Sequence, residues 1–167
     1  DILRSAAHRL LPAKHSAMVD DRLHMVTVQD GEKRTIAGLD FTFFDIHSTK
    51  AKQYGYCLDL PDGRRLTCCG DEPCSESCYD LAQGSDWLLH EAFCLNGEAD
   101  IFHPYEKHHS TVKDACELAE KLQVKDLLLY HTEDSHIAER KELYAAEGRK
   151  YYHGNIYIPD DLEKIVI

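Results

Sequence analysis

The sequence predicts an α/β fold in which a mixed β-sheet is covered by helices. Two patterns within the 167 residues predict it. Up to residue 69, short extended runs are separated by turn residues, which is typical of strands joined in hairpins. From residue 75 onward, apolar strands alternate with helices, as they do in layered α/β proteins with parallel strands.

The first half begins with a helix and continues as short strands. Residues 2–11 place their apolar side chains on one helical face, and Pro12 ends the pattern. The run Pro61-Asp62-Gly63 has turn chemistry, so we expect the strands on its two sides to form an antiparallel hairpin. The predicted strands of this half are 23–28, 34–37, 40–46, 54–60 and 65–69.

The second half alternates between helices and strands. Ser75 is a suitable cap for a first helix, and Gly148 is a suitable end for the last one. The predicted helices are 75–83, 111–122 and 135–148. The predicted strands are 86–90, 126–131, 155–158 and 164–167. Residues 95–107 have no clear period, and we expect a loop over the site.

The composition is that of a globular protein without membrane-spanning segments. Hydrophobic residues make up 43% and charged residues 29%, which fits one domain or a large part of one. The apolar runs are far shorter than the roughly 20 residues of a membrane-spanning helix, and residues 1–5 do not resemble a signal peptide. The seven cysteines are an odd number, and we expect them to be reduced thiols in the cytoplasm.

The formal net charge is strongly negative. Thirty acidic residues against nineteen basic ones give a charge of -11. Such a field repels phosphate backbones, so nucleic acid could bind only through a local basic patch or a bound cation.

Side chains able to bind metal or transfer protons follow four predicted strands. His47, Asp71, Glu91 and His131 each come just after an apolar run. Because the carboxyl ends of strands in α/β sheets face the crevice where ligands bind, we expect these residues to share one rim. His90 is expected to point the other way along its strand and to be structural. The mixture of imidazole and carboxylate suits a zinc-like metal.

Five short segments occur in a fixed order along the chain. They are Phe44-Asp45-Ile46-His47-Ser48, Cys69-Gly70-Asp71-Glu72-Pro73, Trp87-Leu88-Leu89-His90-Glu91-Ala92-Phe93, His109-Ser110-Thr111 and Leu127-Leu128-Leu129-Tyr130-His131. From about residue 23 to the end, this order resembles the carboxyl-terminal half of metallo-β-lactamase-fold hydrolases, on the ribonuclease Z-like branch. The resemblance implies an αββα sandwich. Residues 1–167 would be the carboxyl-terminal half to two-thirds of that single domain.

Carried over to this sequence, the resemblance implies two divalent metal ions, zinc first, with manganese or iron as alternatives. His47 would complete the coordination of the first metal, Asp71 would bridge both, and His131 would bind the second. The anionic bridge offsets the repulsion between two dications about 3.5–4 Å apart. Glu91 and His109 match the pair that protonates the leaving alkoxide on this branch, and we expect the carboxylate to raise the pKa of the imidazole.

The family's main metal-binding motif, His-x-His-x-Asp-His, is absent from the sequence. Either these residues follow an amino-terminal half that carries the motif, or the protein has lost the site; the intact His47, Asp71 and His131 favour the first interpretation. Each metal would receive one His and the shared Asp from this chain, so we expect the chain alone to bind metal weakly and to be inactive. The missing half, or a second copy in a homodimer, is expected to cover the surface left open.

The leading functional hypothesis is a hydrolase of phosphodiesters, because an alkoxide leaving group needs the proton that Glu91 and His109 would supply. Only residues 48–70 separate His47 from Asp71, too few for the long tRNA-gripping arm of ribonuclease Z enzymes. A small phosphodiester or a cyclic nucleotide is therefore as good a substrate as an RNA 3′ end. Two alternatives stay open, a non-catalytic binding or regulatory module of the same fold and a lactone or thioester hydrolase.

Overall fold

The computed structural model describes residues 2–167 and contains a single seven-stranded sheet. The strands are β1 Lys33–Ile36, β2 Leu39–Asp45, β3 Tyr54–Asp59, β4 Arg65–Cys68, β5 Trp87–Glu91, β6 Asp126–Tyr130 and β7 Asn155–Tyr157. They lie side by side in the order of the sequence. The pairs from β1 to β4 are antiparallel and the pairs from β4 to β7 are parallel, which confirms the predicted mixed sheet.

The predicted hairpin between β3 and β4 is confirmed, and its turn is closed by backbone hydrogen bonds. Leu60 N–H donates to the Arg64 carbonyl oxygen at 2.8 Å, and Gly63 N–H donates to the Leu60 carbonyl oxygen at 2.9 Å. Gly63 has a φ of 85°, a left-handed conformation that glycine adopts without strain. The hairpin aligns β4 so that its carboxyl end points toward the site.

The main core lies between the sheet and the helices that pack on one of its faces. The helices of residues 2–167 are α1 Ile2–Leu10, α2 Ala13–Ser16, α3 Tyr79–Ala82, α4 Ala99–Phe102, α5 Val112–Lys121 and α6 Arg140–Gly148. Of these, α3, α5 and α6 contribute buried residues to the core. Leu88 and Leu127 from the sheet are buried in this core with Ala115 of α5 and Tyr144 of α6. Since side chains alternate along a strand, Trp87 belongs to a smaller cluster on the opposite face.

The start of α5 is fixed by a capping box. Thr111 Oγ1 accepts from the backbone N–H of Asp114 at 3.3 Å, and Asp114 Oδ2 accepts from the backbone N–H of Thr111 at 2.9 Å. This reciprocal pair satisfies backbone donors that the first helical turn leaves free. It also fixes the backbone that leads from His109 into the helix.

The predicted strand at 23–28 is wrong. Among residues 2–167, this segment makes a single bridge between Leu23 and Val19 and joins no ladder. Its alternating pattern is that of a strand, but the segment forms no ladder with the outer side of β1, which is the edge strand next to β2.

Three other predicted elements differ from the structure. Residues 75–83 form a short 3₁₀ turn followed by α3, and the last helix starts at Arg140, not at residue 135. Ser135 does not cap that helix, because its backbone N–H donates to Glu133 Oε2 at 2.6 Å and its hydroxyl donates to Glu133 Oε1 at 2.8 Å. Residues 164–167 form no strand in the described part of the chain.

The apolar face of α1 lies on the surface. Ile2 is 85% exposed, Leu3 72% and Leu10 81%, although the helix itself is confirmed. Ile2 and Leu3 line a surface pocket with Met25 and Val26, but no residue of α1 is buried within residues 2–167. None of the helices in residues 2–167 combines the length and the apolar character needed to cross a lipid bilayer.

Gly55 is the one residue of β3 for which we expect a large stability effect on adding a methyl group. A Cβ there would lie against the Phe44 ring and 2.6 Å from the Cys68 carbonyl oxygen. Gly55→Ala is therefore expected to lower the free energy of unfolding by about 1–3 kcal/mol through overpacking, measured by urea denaturation. Gly97→Ala is the control, since nothing lies within 4 Å of its added Cβ. Equal stability of the two variants would contradict this account.

Candidate active site

The strands that end at one rim of the sheet bring the predicted residues into one region. Glu91 is the last residue of β5 and pairs in register with Tyr130 of β6, so His131 follows directly beside it. Asp71 follows β4, which is the parallel neighbour of β5. The strand order therefore accounts for the approach of residues that are distant in sequence.

Three side chains converge closely enough to share a metal ion. Ligand atoms of Asp71, His109 and His131 all lie within 4.8 Å of one another. His131 Nδ1 contacts Asp71 Oδ1 directly, and the two imidazole centroids are 4.6 Å apart. One carboxylate and two imidazoles are the donor set that catalytic zinc uses, so these residues fit a mixed nitrogen and oxygen metal site.

His47 lies outside this group of three among the described residues. It is exposed, lies two residues after the end of β2, and its backbone N–H donates to Asp45 Oδ1 at 2.9 Å. Its loop nevertheless meets the loop of Asp71, since Ser48 Oγ donates to buried Glu72 Oε1 at 2.6 Å. A metal-binding role of His47 stays a prediction.

His47 and His131 both have left-handed backbone conformations. Their φ angles are 57° and 54°. Such angles are uncommon outside glycine and tend to occur where function requires them, although histidine tolerates them better than most residues.

Glu91 and His109 form a buried pair. Glu91 Oε2 lies 3.6 Å from His109 Nδ1, and neither atom has another hydrogen-bond partner in residues 2–167. Glu91 is fully buried and His109 is 7% exposed. The other carboxylate oxygen, Oε1, accepts from the backbone N–H of Ser110 at 2.5 Å, which fixes the orientation of the carboxyl group.

The ionisation of this pair differs from the sequence-based expectation. Burial raises the pKa of Glu91 to about 7. The pKa of His109 is lowered, first by burial and then by the positive charges of Lys50 and His131, which outweigh the raising effects of Asp71 and Glu72. The expectation of a raised imidazole pKa is wrong, because burial disfavours the charged form of both partners.

Two aromatic residues support the site and were not singled out in the sequence. The Phe93 ring stacks on His109 with centroids 5.2 Å apart, and the Tyr130 hydroxyl donates to the Gly70 carbonyl oxygen beside Asp71. Phe93 comes two positions after Glu91, and Tyr130 directly precedes His131, so both are close in sequence to predicted site residues. Their contacts depend on the packing between strands, which no local pattern encodes.

His90 is structural, as expected. It is buried, its Nδ1 lies 2.6 Å from the Glu91 carbonyl oxygen, and its Nε2 lies 3.1 Å from the backbone N of Cys74. Nδ1–H therefore donates to the Glu91 carbonyl, and Nε2 accepts from Cys74 N–H. This neutral imidazole joins β5 to the segment that carries Asp71, while burial lowers its pKa.

A second group of possible ligands, Glu98, Glu133 and His136, has a structural explanation. His136 Nε2 lies 2.6 Å from Glu98 Oε1, and this contact raises the pKa of the imidazole. The pair joins the 3₁₀ turn at Asn96–Glu98 to the segment before α6.

Comparison with known proteins agrees with the fold described above. A family model described as a beta-lactamase superfamily domain matches residues 3–132. Ribonuclease Z of Ligilactobacillus salivarius is 32% identical over 136 residues, which cover 81% of this chain and 37% of that protein. Ribonuclease Z of Exiguobacterium sibiricum is 34% identical over 124 residues, which cover 74% of this chain and 40% of that protein. The chain thus spans well under half the length of these curated relatives.

Solved structures have the same fold. The metallo-β-lactamase fold protein YhfI of Bacillus subtilis superposes with a TM-score of 0.65 at 16% identity, covering 81% of this chain and 51% of that one. The short form of human tRNase Z superposes with a TM-score of 0.57 at 20% identity, covering 77% of this chain and 43% of that one. These likenesses concern the fold alone.

Proposed function

Because this chain belongs to the β-lactamase superfamily, we propose that it is the carboxyl-terminal part of a metal-dependent hydrolase domain that cleaves phosphodiesters. The observation that carries the proposal is the convergence of Asp71, His109 and His131, with buried Glu91 facing His109. Metal ligands and a proton-transfer pair side by side are what hydrolysis of a phosphodiester with a poor leaving group requires.

In this proposal, Asp71 and His131 hold a divalent metal ion, and His47 serves a second ion from the loop after β2. Zinc is the first choice, with manganese or iron as alternatives, because all three accept nitrogen and oxygen ligands together. When bound, such ions supply hydroxide at neutral pH and stabilise negative charge on phosphoryl oxygens. Ligands beyond those of the 167 residues would come from the rest of the domain, so the chain alone is expected to be inactive.

Glu91 and His109 would protonate the leaving oxygen. Glu91 Oε2 and His109 Nδ1 are buried and 3.6 Å apart without other partners. Two such atoms without a proton between them would leave lone pairs facing each other in a dry site, so the pair holds at least one proton. His109 would give a proton to the leaving alkoxide, and Glu91 would keep the imidazole oriented and reprotonate it.

The substrate we propose is an RNA 3′ end or a small phosphodiester. The similarity to proteins named ribonuclease Z favours RNA as the substrate. The charge of -11 opposes long-range attraction of a large polyanion. The exposed apolar face of α1 is a surface that the rest of the domain, or a second copy in a homodimer, would cover.

Metal removal tests this function. The full-length protein is expected to hydrolyse bis(p-nitrophenyl) phosphate, to lose at least about 10²-fold in rate after chelation, and to recover when zinc or manganese is returned. The rate is measured by nitrophenolate absorbance, with metal content measured in parallel. Undiminished hydrolysis by demonstrably metal-free protein would exclude the metal-dependent mechanism.

A further inference from the structure

Lys107 lies at the edge of the candidate site on a rigid turn. It is the last residue of the 3₁₀ turn Tyr105–Lys107. The backbone N–H groups of Lys107 and His109 both donate to the Pro104 carbonyl oxygen, at 3.0 and 2.9 Å. The Cα of Lys107 is thus held in place two residues before His109, while its side chain is on the surface.

The Lys107 ammonium and the His109 imidazole lie against the same aromatic ring. Lys107 Nζ is 5.0 Å from the centroid of Phe93. The Phe93 ring stacks on His109 at 5.2 Å and is 6.2 Å from His131. A cation–π contact fixes the position of an ammonium group and leaves its N–H donors free for an anion.

No carboxylate within residues 2–167 neutralises this ammonium. Lys107 forms no salt bridge within 4.0 Å, and the neighbouring Glu106 carboxylate lies 3.6 Å from His103. The adjoining His108 Nδ1 is 3.3 Å from Thr49 Oγ1, which brings the loop carrying Lys50 to the same edge. In a chain of charge -11, this edge therefore presents local positive charge beside the site.

We propose that Lys107 binds a second phosphate of the substrate, on the leaving-group side of the scissile bond. This inference rests on the proposed function, because His109, the group that would protonate the leaving oxygen, marks that side. The site would then favour phosphodiesters whose leaving alcohol carries a further phosphate, as in an oligonucleotide, over those with a single phosphate.

Lys107→Ala in the full-length protein tests the inference with two substrates. For a short oligoribonucleotide, kcat/KM is expected to fall about three- to tenfold, mainly through KM, because one exposed charge contact is lost. For bis(p-nitrophenyl) phosphate, which has one phosphate, the change is expected to stay below about twofold. Lys107→Arg should retain most of the activity on the oligonucleotide, since it keeps the charge and the cation–π contact.

A binding measurement separates this inference from the proposed reaction. The Kd for a fluorescein-labelled oligonucleotide is measured by fluorescence anisotropy at several salt concentrations, with a chelator present to prevent turnover. The slope of log Kd against log salt concentration should be lower by about 0.7 in Lys107→Ala than in wild type. Lys121→Ala is the matched control. Lys121 is the last residue of α5, and its Nζ also lies over an aromatic ring, 4.6 Å from the centroid of Tyr79. It should leave both Kd and slope unchanged.

The outcomes can be told apart. If the wild-type protein cleaves both substrates and Lys107→Ala equals it on each, with an unchanged salt slope, the role of Lys107 is overturned and the proposed function stands. Wild-type protein that cleaves neither substrate overturns the proposed function. An equal loss on both substrates also overturns the inference, because it indicates a general disturbance of the site by way of Phe93.

Discussion

His109→Ala is expected to lower kcat/KM of the full-length protein for an alkyl phosphodiester by about 10²–10⁴-fold, the usual contribution of a general acid. The leaving alkoxide is strongly basic and needs a proton as its bond to phosphorus breaks. His109 lies beside Asp71 and His131, and its Nδ1 faces buried Glu91 Oε2 at 3.6 Å. The measurement is a steady-state comparison of an alkyl and a p-nitrophenyl phosphodiester.

The aryl substrate is the internal control for this loss. A p-nitrophenolate ion leaves without protonation, so the same variant should lose much less activity on it, provided that the metal content is unchanged. His153→Ala is a matched variant, since the only hydrogen-bond partner of this exposed imidazole among the described residues is Glu120. Equal losses on both substrates would assign His109 to the metal site, and retained activity on a lactone or thioester would favour the alternative hydrolase.

Asp71→Asn is expected to weaken metal binding by more than about 100-fold and to abolish hydrolysis. Removing groups that only support metal ligands costs about 10–100-fold, and Asp71 is proposed to be a ligand itself. Its Oδ1 contacts His131 Nδ1, so the amide also removes the negative charge closest to that imidazole. Isothermal titration with zinc, together with circular dichroism to check the fold, measures the effect.

Asp59→Asn is the control for this substitution. Asp59 is a carboxylate on the sheet whose Oδ1 accepts from Arg65 Nε at 2.9 Å, away from the three converging side chains. Asp59→Asn should bind zinc with the stoichiometry and affinity of the wild type. If Asp71→Asn bound zinc as wild type does, Asp71 would not be a metal ligand, and its proposed role in holding the ion would have to be given up.

The sequence predicted the rim of the sheet well because strand ends are a local property. His47, Asp71, Glu91 and His131 each follow an apolar run, and the structure brings Asp71 and His131 together. The part His109 plays in that group could not be read from local pattern, since it depends on how residues 104–109 fold back over β5. The distances are set by packing between strands, as the stacking of Phe93 shows.

The errors have a physical cause in common. Residues 23–28 have a strand pattern but join no ladder, and the hydroxyl of Ser135, a good cap residue, donates to Glu133 instead. The sequence predicts a raised pKa for His109 from the neighbouring carboxylate, but burial, which the sequence does not show, lowers it. In each case an interaction or an environment that the local pattern does not encode outweighed the local preference.

The order of the strands affects how the site is assembled during synthesis. Each strand pairs with the one made just before it, so a chain emerging from the ribosome finds every new partner already in place. Asp71 and Glu91 are translated early, whereas His131 arrives only with the end of the sixth strand. Nascent chains that end within the sixth strand, before residue 131, would hold five complete strands and lack the residue that completes the convergence of Asp71, His109 and His131.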